Sequence, residues 1–262
     1  MGMTAADLIG FYPFDDAAHP LSDASTSAND LTVGGTAPTY EAAGGFAGGA
    51  YHFDATGRLV IPIDINPAEK PELTLGAWVK TDSIDPGLRK IMGHDNGGWD
   101  RTIGLDNREP DFTFRYTSFT GDGPPVTGTP EPVSVDDWTF IAVTYDEAAA
   151  KVTVYVDLDA SSTDDEIGLG VAEATGFGDG VTSLSLGTIS PLNNNEGWIG
   201  LIDNAFVFDE ILDSAAVEAL RDGGLETLYA LPGAATRGDF ADDGVANEVD
   251  NCLRVPNPGQ AD

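Results

Sequence analysis

The chain has 262 residues, 41% of them hydrophobic, enough for one large β domain or two smaller ones. Against 44 Asp and Glu it carries only 12 Lys and Arg, a formal charge of −32, which argues against nucleic-acid binding because phosphate neutralisation needs basic side chains. No apolar run reaches the length of about 18 residues that a membrane-spanning helix requires. So much negative charge repels itself, and either a saline environment or bound divalent cations would relieve it.

The N-terminal MGMTAAD lacks the charged and apolar regions of a signal peptide, and a single cysteine, Cys252, leaves the redox compartment open. With 32 Gly and 16 Pro between short runs of Val, Ile, Phe, Tyr and Thr, the composition predicts an all-β chain rich in turns.

Leu8 to Phe14 (LIGFYPF) reads as a strand ending at Asp15 and Asp16, followed by the polar loop His19 to Gly35. Short strands are predicted at Ala50 to Phe53 and Arg58 to Ile63. Glu72 to Lys80 alternates cleanly, placing Leu73, Leu75, Ala77 and Val79 on one face and Thr74, Gly76, Trp78 and Lys80 on the other, the pattern of a half-buried antiparallel strand. Strands follow at Leu88 to Gly93, Arg101 to Leu105 and Asp111 to Thr117. Trp138 to Tyr145 and Lys151 to Asp157 make a hairpin, and Val181 to Gly187 precedes the last strand.

That last stretch, Gly197 to Phe208 (GWIGLIDNAFVF), is apolar on both faces yet contains Asp203. Strict alternation puts Ile199, Leu201, Ala205 and Val207 with Asp203, and Trp198, Ile202, Phe206 and Phe208 with Asn204. A buried carboxylate is costly without a cation or strong donors, and no Lys or Arg lies between Val152 and Leu220. The alternatives are a bound metal, backbone amides or a distant Arg. Asp213 to Arg221 is the one convincing helix, capped by Asp213 or Ser214 and ended by Gly223 or Gly224. Composition changes past Leu231, which divides the chain into a sandwich at 1–231, a linker at 232–238 and an acidic tail at 239–262.

Taken in order, LIGFYPFDD, SDASTSANDLTV, GGAYHFDATGRLVIP, LTLGAWVK, DDWTFIAVTYD, VTVYVD, LSLGT and GWIGLIDNAFVFDEILDSAAVEAL resemble the laminin G-like, or concanavalin A-like, jelly-roll domain over about Leu8 to Gly224. The resemblance implies an antiparallel β-sandwich and a Ca²⁺ ion held by Asp23 and Asp203, with loop carbonyls and Asn29 completing the shell; such hard oxygen donors suit Ca²⁺. The pattern departs at Asp157, where LDASSTDDE replaces the usual glycine turn. The tail, GDFADDGVANEVDNCLRVPNPGQAD, resembles a thrombospondin type 3 repeat, which implies Ca²⁺ ligation by Asp239, Asp243, Asn247 and Asp250. Ala241 stands where that pattern has Asp. The same resemblance implies that Cys252 pairs with a cysteine of a following repeat, and hence an extracellular, secreted or cell-surface parent protein of which this is a part.

Catalytic patterns are missing. No strand carries the E-x-D-x-E-like carboxylate pair of a retaining glycosidase, the 3 histidines, His19, His52 and His94, have no metal-ligand spacing, and there is no phosphate-binding or dinucleotide fingerprint. Recognition is then expected on loops. Gly93 to Arg101 offers His94, Asp95, Asn96 and Trp99, and Ser190 to Trp198 offers Asn193, Asn194, Asn195 and Glu196, for a glycan or extracellular protein ligand; the alternative is that Trp99 plugs its loop and the amides cap turns. The expected function is a non-catalytic, calcium-stabilised adhesion or carbohydrate-binding module; the alternatives are a structural spacer and, last, a glycoside hydrolase of the same fold.

Overall fold

The computed structural model describes residues 8–98, 100–108, 115–121, 126–127, 133, 135, 137–157, 168–173 and 178–229. The strands are β1 (Leu8–Tyr12), β2 (Thr32–Val33), β3 (Thr39–Glu41), β4 (Ala50–Asp54), β5 (Leu59–Ile61), β6 (Glu72–Thr81), β7 (Leu88–Gly93), β8 (Thr102–Asp106), β9 (Arg115–Phe119), β10 (Val126–Thr127), β11 (Trp138–Asp146), β12 (Lys151–Asp157), β13 (Gly168–Glu173), β14 (Leu184–Leu186) and β15 (Ile199–Phe208). Helix α1 (Ser214–Tyr229) follows. It runs through Gly223 and Gly224, where the sequence predicts its end.

The strands form two antiparallel sheets. The first has the order β13-β12-β11-β6-β15-β4-β3, with β1 also on β15; the second has the order β10-β9-β8-β7-β14-β5-β2. This is the jelly-roll sandwich the sequence predicts. Alternating apolar residues fill the space between the sheets: Leu73, Leu75, Ala77 and Val79 of β6, and Val152, Val154 and Val156 of β12, pack with Ile91, Met92, Ile103, Leu105, Leu184 and Leu186 of the second sheet.

The outer face of the first sheet is buried as well. Trp78, Phe140, Phe206 and Phe208 form a second cluster under Leu212, Ala216, Val217 and Leu220, and Phe46 and Trp138 pack against it. Gly76 makes this possible, since a Cβ there would stand 2.2 Å from the Phe206 ring. β6 is therefore covered on both faces instead of half-buried.

β15 departs from strict alternation. Its register on β6 shifts between Asp203 and Phe206, and Asn204 has φ +52°, a left-handed conformation that Asn tolerates better than most residues. This bulge re-aims every later side chain. Ile202, Ala205 and Val207 join the core between the sheets, while Phe206 and Phe208 face the helix. The bulge falls where the other edge of β15 changes partner, from β4 at Ile199 to Ile202 to β1 at Ala205 to Phe208.

Candidate functional site

At that change of partner the chain segments after β1 and before β4 meet the bulge. Asp203 is fully buried, and its Oδ2 accepts a hydrogen bond from Ala47 N at 3.2 Å. Asp15 Oδ1 accepts from Gly49 N at 3.0 Å, and the Tyr40 hydroxyl donates to Phe14 O at 2.9 Å. A methyl group placed on Gly45 would meet Gly49 O at 2.4 Å, Asp203 Oδ2 at 2.7 Å and Gly48 O at 2.9 Å. Gly45 is thus packed closely against the Gly48 and Gly49 carbonyls and Asp203 Oδ2. Next to Asp203 in the chain, Asn204 is buried, and neither its Oδ1 nor its Nδ2 bonds to any of the described residues. Burial raises the Tyr40 pKa, and the charges of Asp15, Asp16 and Asp203 raise it further.

Asp23 is held differently. It is fully buried, and its Oδ1 accepts from Phe11 N at 2.9 Å and Ser25 N at 2.8 Å. Its Oδ2 accepts from Ser25 Oγ at 2.7 Å and Asn29 N at 2.8 Å. These donors already compensate the buried charge, so the carboxylate fastens its own loop to β1. Asn29 also donates from Nδ2 to Ile9 O at 2.7 Å, and its carbonyl accepts from the Tyr12 hydroxyl at 2.8 Å. Asp23 and Asn29 thus bond to the first strand and the loop after it, whereas Asp203 bonds to the loop before β4.

The two amide-rich loops do come together. β14 pairs with β7 antiparallel at Ser185↔Gly93 and Leu186↔Met92, and the chain leaving β14 turns back at Thr188, whose carbonyl accepts from Ser185 Oγ at 2.6 Å, to meet the segment leaving β7. Asp95 N donates to Ile189 O at 3.1 Å across them. Between them opens a cleft of about 240 Å³ lined by Asp95, Gly97, Ile189, Asn193, Asn195 and Glu196. Asp95 Oδ1 accepts from Gly98 N and Asp100 N, which shapes the first wall. In the second wall Asn193 Oδ1 accepts from Asn195 N at 2.9 Å, and Thr188 Oγ1 donates to Asn195 O at 2.8 Å. Glu196 has φ +56°, and its carbonyl accepts from Lys90 N at 2.7 Å.

Lys90 lies behind that wall. It is fully buried, its Nζ sits 3.6 Å from the centre of the Phe119 ring, and burial pulls its pKa down to about 7. His94 does not line the cleft; it is buried, and burial pulls its pKa down to about 4. Asn96 Nδ2 donates to Asp179 O at 2.8 Å, and Asn194 is exposed on the same loop as Asn193 and Asn195. Trp99, the linker at 232–238 and the tail residues Asp239, Asp243, Asn247 and Asp250 lie outside the described residues.

Comparison with known proteins accords with this architecture. A profile described as the concanavalin A-like lectin/glucanases superfamily matches residues 54–218. The chain belongs to that superfamily. Among solved structures it is similar to domain 4 of AbnA, a GH43 extracellular arabinanase from Geobacillus stearothermophilus, in complex with arabinotriose, at 20% identity and a TM-score of 0.59, covering 82% of this chain and 98% of that one. It is also similar to the binding domain of botulinum neurotoxin DC in complex with SialylT, at 10% identity and a TM-score of 0.58, covering 84% and 51%. The same toxin domain in complex with rat synaptotagmin II gives 12% identity and a TM-score of 0.57, covering 84% and 52%. The chain spans about half the length of these toxin chains, and at such identities the shared fold is what the likeness establishes. No curated protein matches the sequence.

Within this lectin-like fold, sequence reasoning overlooks Asp15 and the Gly45 to Gly49 loop. Asp15 reads as the end of a strand, and the glycines as ordinary turns. The signal that points to them is joint: a glycine-dense, cation-free stretch, GGFAGG, next to the strand that pairs with the one carrying a buried Asp.

Proposed function

We propose that this member of the concanavalin A-like superfamily is a non-catalytic carbohydrate-binding module whose sandwich is stabilised by calcium. The observation that carries the reading is the cleft between the loops after β7 and β14, where Asp95, Asn193, Asn195 and Glu196 share one wall-to-wall opening of about 240 Å³. Carboxylate acceptors and amide donors around a small opening are the groups that hydrogen-bond sugar hydroxyls. The arabinotriose and SialylT complexes of the similar domains support a glycan ligand, and the synaptotagmin complex supports a protein ligand as the second choice.

Calcium fits the bulge of β15. Among the described residues no three His, Cys, Asp or Glu side chains are grouped to hold a metal. The cation would therefore draw on Asp203 and the neighbouring Gly48 and Gly49 carbonyls, oxygen donors that Ca²⁺ accepts, with Asp15 bonded to the same loop. It would supply charge compensation and tie β15 to the loop before β4. The acidic tail is proposed as a second calcium-binding element on its repeat-like sequence alone. An extracellular location is supported by that sequence and by the extracellular arabinanase.

A glycan array probed with and without calcium tests the reading: binding to at least one glycan class is expected, and silence on every glycan in both conditions overturns it. Release of reducing sugar from a polysaccharide panel would overturn the non-catalytic assignment.

A further inference from the structure

The charge of the cleft narrows its ligand. We infer that it selects neutral, hydroxyl-rich oligosaccharides and rejects glycans that carry carboxylate or sulfate groups; this rests on the carbohydrate-binding reading above. Two of the cleft's polar lining side chains, Asp95 and Glu196, are carboxylates, and the other two, Asn193 and Asn195, are neutral amides.

No Lys or Arg is among the described residues that line the cleft, although Lys90 and Arg108 feel the Glu196 charge from behind its wall. Lys90 is fully buried, with its Nζ against the Phe119 ring at 3.6 Å. Arg108 forks onto Asp106, donating from Nε to Oδ1 at 2.9 Å and from Nη2 to Oδ2 at 2.6 Å. Arg101 is fully buried and donates from Nη1 to Ile65 O and Lys70 O. An anionic sugar entering the cleft would meet two like charges, with no cation among the described lining residues, within a chain of formal charge −32. Like-charge contact at an interface is strongly unfavourable.

A neutral sugar meets the reverse situation. Each hydroxyl can donate to a carboxylate oxygen or accept from an amide NH₂. Ile189, which lines the cleft, offers an apolar surface for the C–H face of a sugar ring. Gly97 lines the opposite side of the cleft, and an added Cβ there would meet nothing within 4 Å among the described residues.

The test pairs neutral and anionic sugars of matched shape: lactose against sialyllactose, and galactan against galacturonan oligosaccharides, titrated against the whole chain in 0.15 M and 1 M NaCl. The neutral member of a pair is expected to bind at least about tenfold more tightly at 0.15 M, with the gap narrowing at 1 M as the charges are screened. In Glu196→Gln the ratio of neutral to anionic affinity is expected to fall, whatever happens to affinity itself. Equal or tighter binding of the anionic member overturns the inference and leaves the carbohydrate-binding reading standing. A preference that ignores both salt and Glu196→Gln also overturns it, because shape and not charge would then be selecting. Failure of every sugar to bind overturns the functional reading and this inference with it.

Discussion

Arg221 reaches from helix α1 to the end of β12, where its Nη1 donates to Asp157 Oδ2 at 2.6 Å with the two side chains only 5% and 3% exposed. The pair sits under the helix that covers the aromatic outer face of the first sheet. Truncating one member of such a buried pair strands the other charge. Arg221→Met is expected to destabilise the fold by about 3–5 kcal/mol in urea unfolding. Replacing both members with Arg221→Met and Asp157→Leu is expected to recover most of that loss, and a double variant as weak as the single one would show that the pair is more than a buried charge couple.

Asp23 makes a comparable prediction in the absence of any cation. Its two oxygens accept from Phe11 N, Ser25 N, Ser25 Oγ and Asn29 N. Asp23→Asn keeps the shape but turns an acceptor into a donor facing other donors, and a loss of about 3 kcal/mol is expected in chemical denaturation. Calcium should not restore it, since protein donors hold these oxygens.

Asp203 is expected to behave in the opposite way. A cation that binds only the folded chain raises its melting temperature by mass action. At matched ionic strength, the wild-type protein should melt at a higher temperature in excess Ca²⁺ than in chelator, and Asp203→Ala should remove that difference. Gly45→Ala should weaken it, because the added methyl would crowd Gly49 O and Asp203 Oδ2. Identical wild-type melts in the two conditions would sink the calcium site proposed for the bulge; a response that survives Asp203→Ala would place the ion elsewhere.

Lys90 gives a pH signature. Burial lowers its pKa from 10.5 to about 7, opposed by Glu196, Asp106 and Asp95 and assisted by Arg108. Between about 7 and 10.5 the unfolded chain holds a proton here that the folded chain has released, so this group makes stability rise as pH is raised through that window. The other titrating groups are shared with Lys90→Met, so the difference between the two melting curves isolates Lys90. Relative to Lys90→Met, the wild-type protein is expected to be least stable at and below pH 7 and to gain as pH approaches 10. A constant difference across that range would show that Lys90 stays charged in the fold.

Alternation makes the core face of β6 legible, because Leu73, Leu75, Ala77 and Val79 obey a simple period of two. The opposite face is not, since Trp78 and Thr74 are buried by Phe46 and by a helix and its approach that are distant in sequence. In β15 the Asp-Asn pair reads as two ordinary strand positions; the left-handed Asn204 shifts the register and sends Phe206 and Phe208 outward. Asn is one of the few non-glycine residues suited to that conformation, which is the trace the bulge leaves in the sequence. The residues of the cleft are readable as two polar loops. Their meeting is not, because it depends on β14 pairing with β7 across more than ninety residues of chain, a fact of strand order that composition does not carry.

The position of β15 has a consequence for biosynthesis. It is the last of the described strands, yet it lies between β6 and β4 inside the first sheet. A nascent chain that has emerged only through β12 has no neighbour for the inner edge of β6 or for that side of β4, and it presents their unpaired amides and carbonyls to other chains. The first sheet closes only after residue 208 has left the ribosome, with pairings that span most of the sequence. Such non-local closure makes for slow folding and a period of exposure to aggregation, so chains cut short before β15 should accumulate as insoluble material and not as a smaller sandwich.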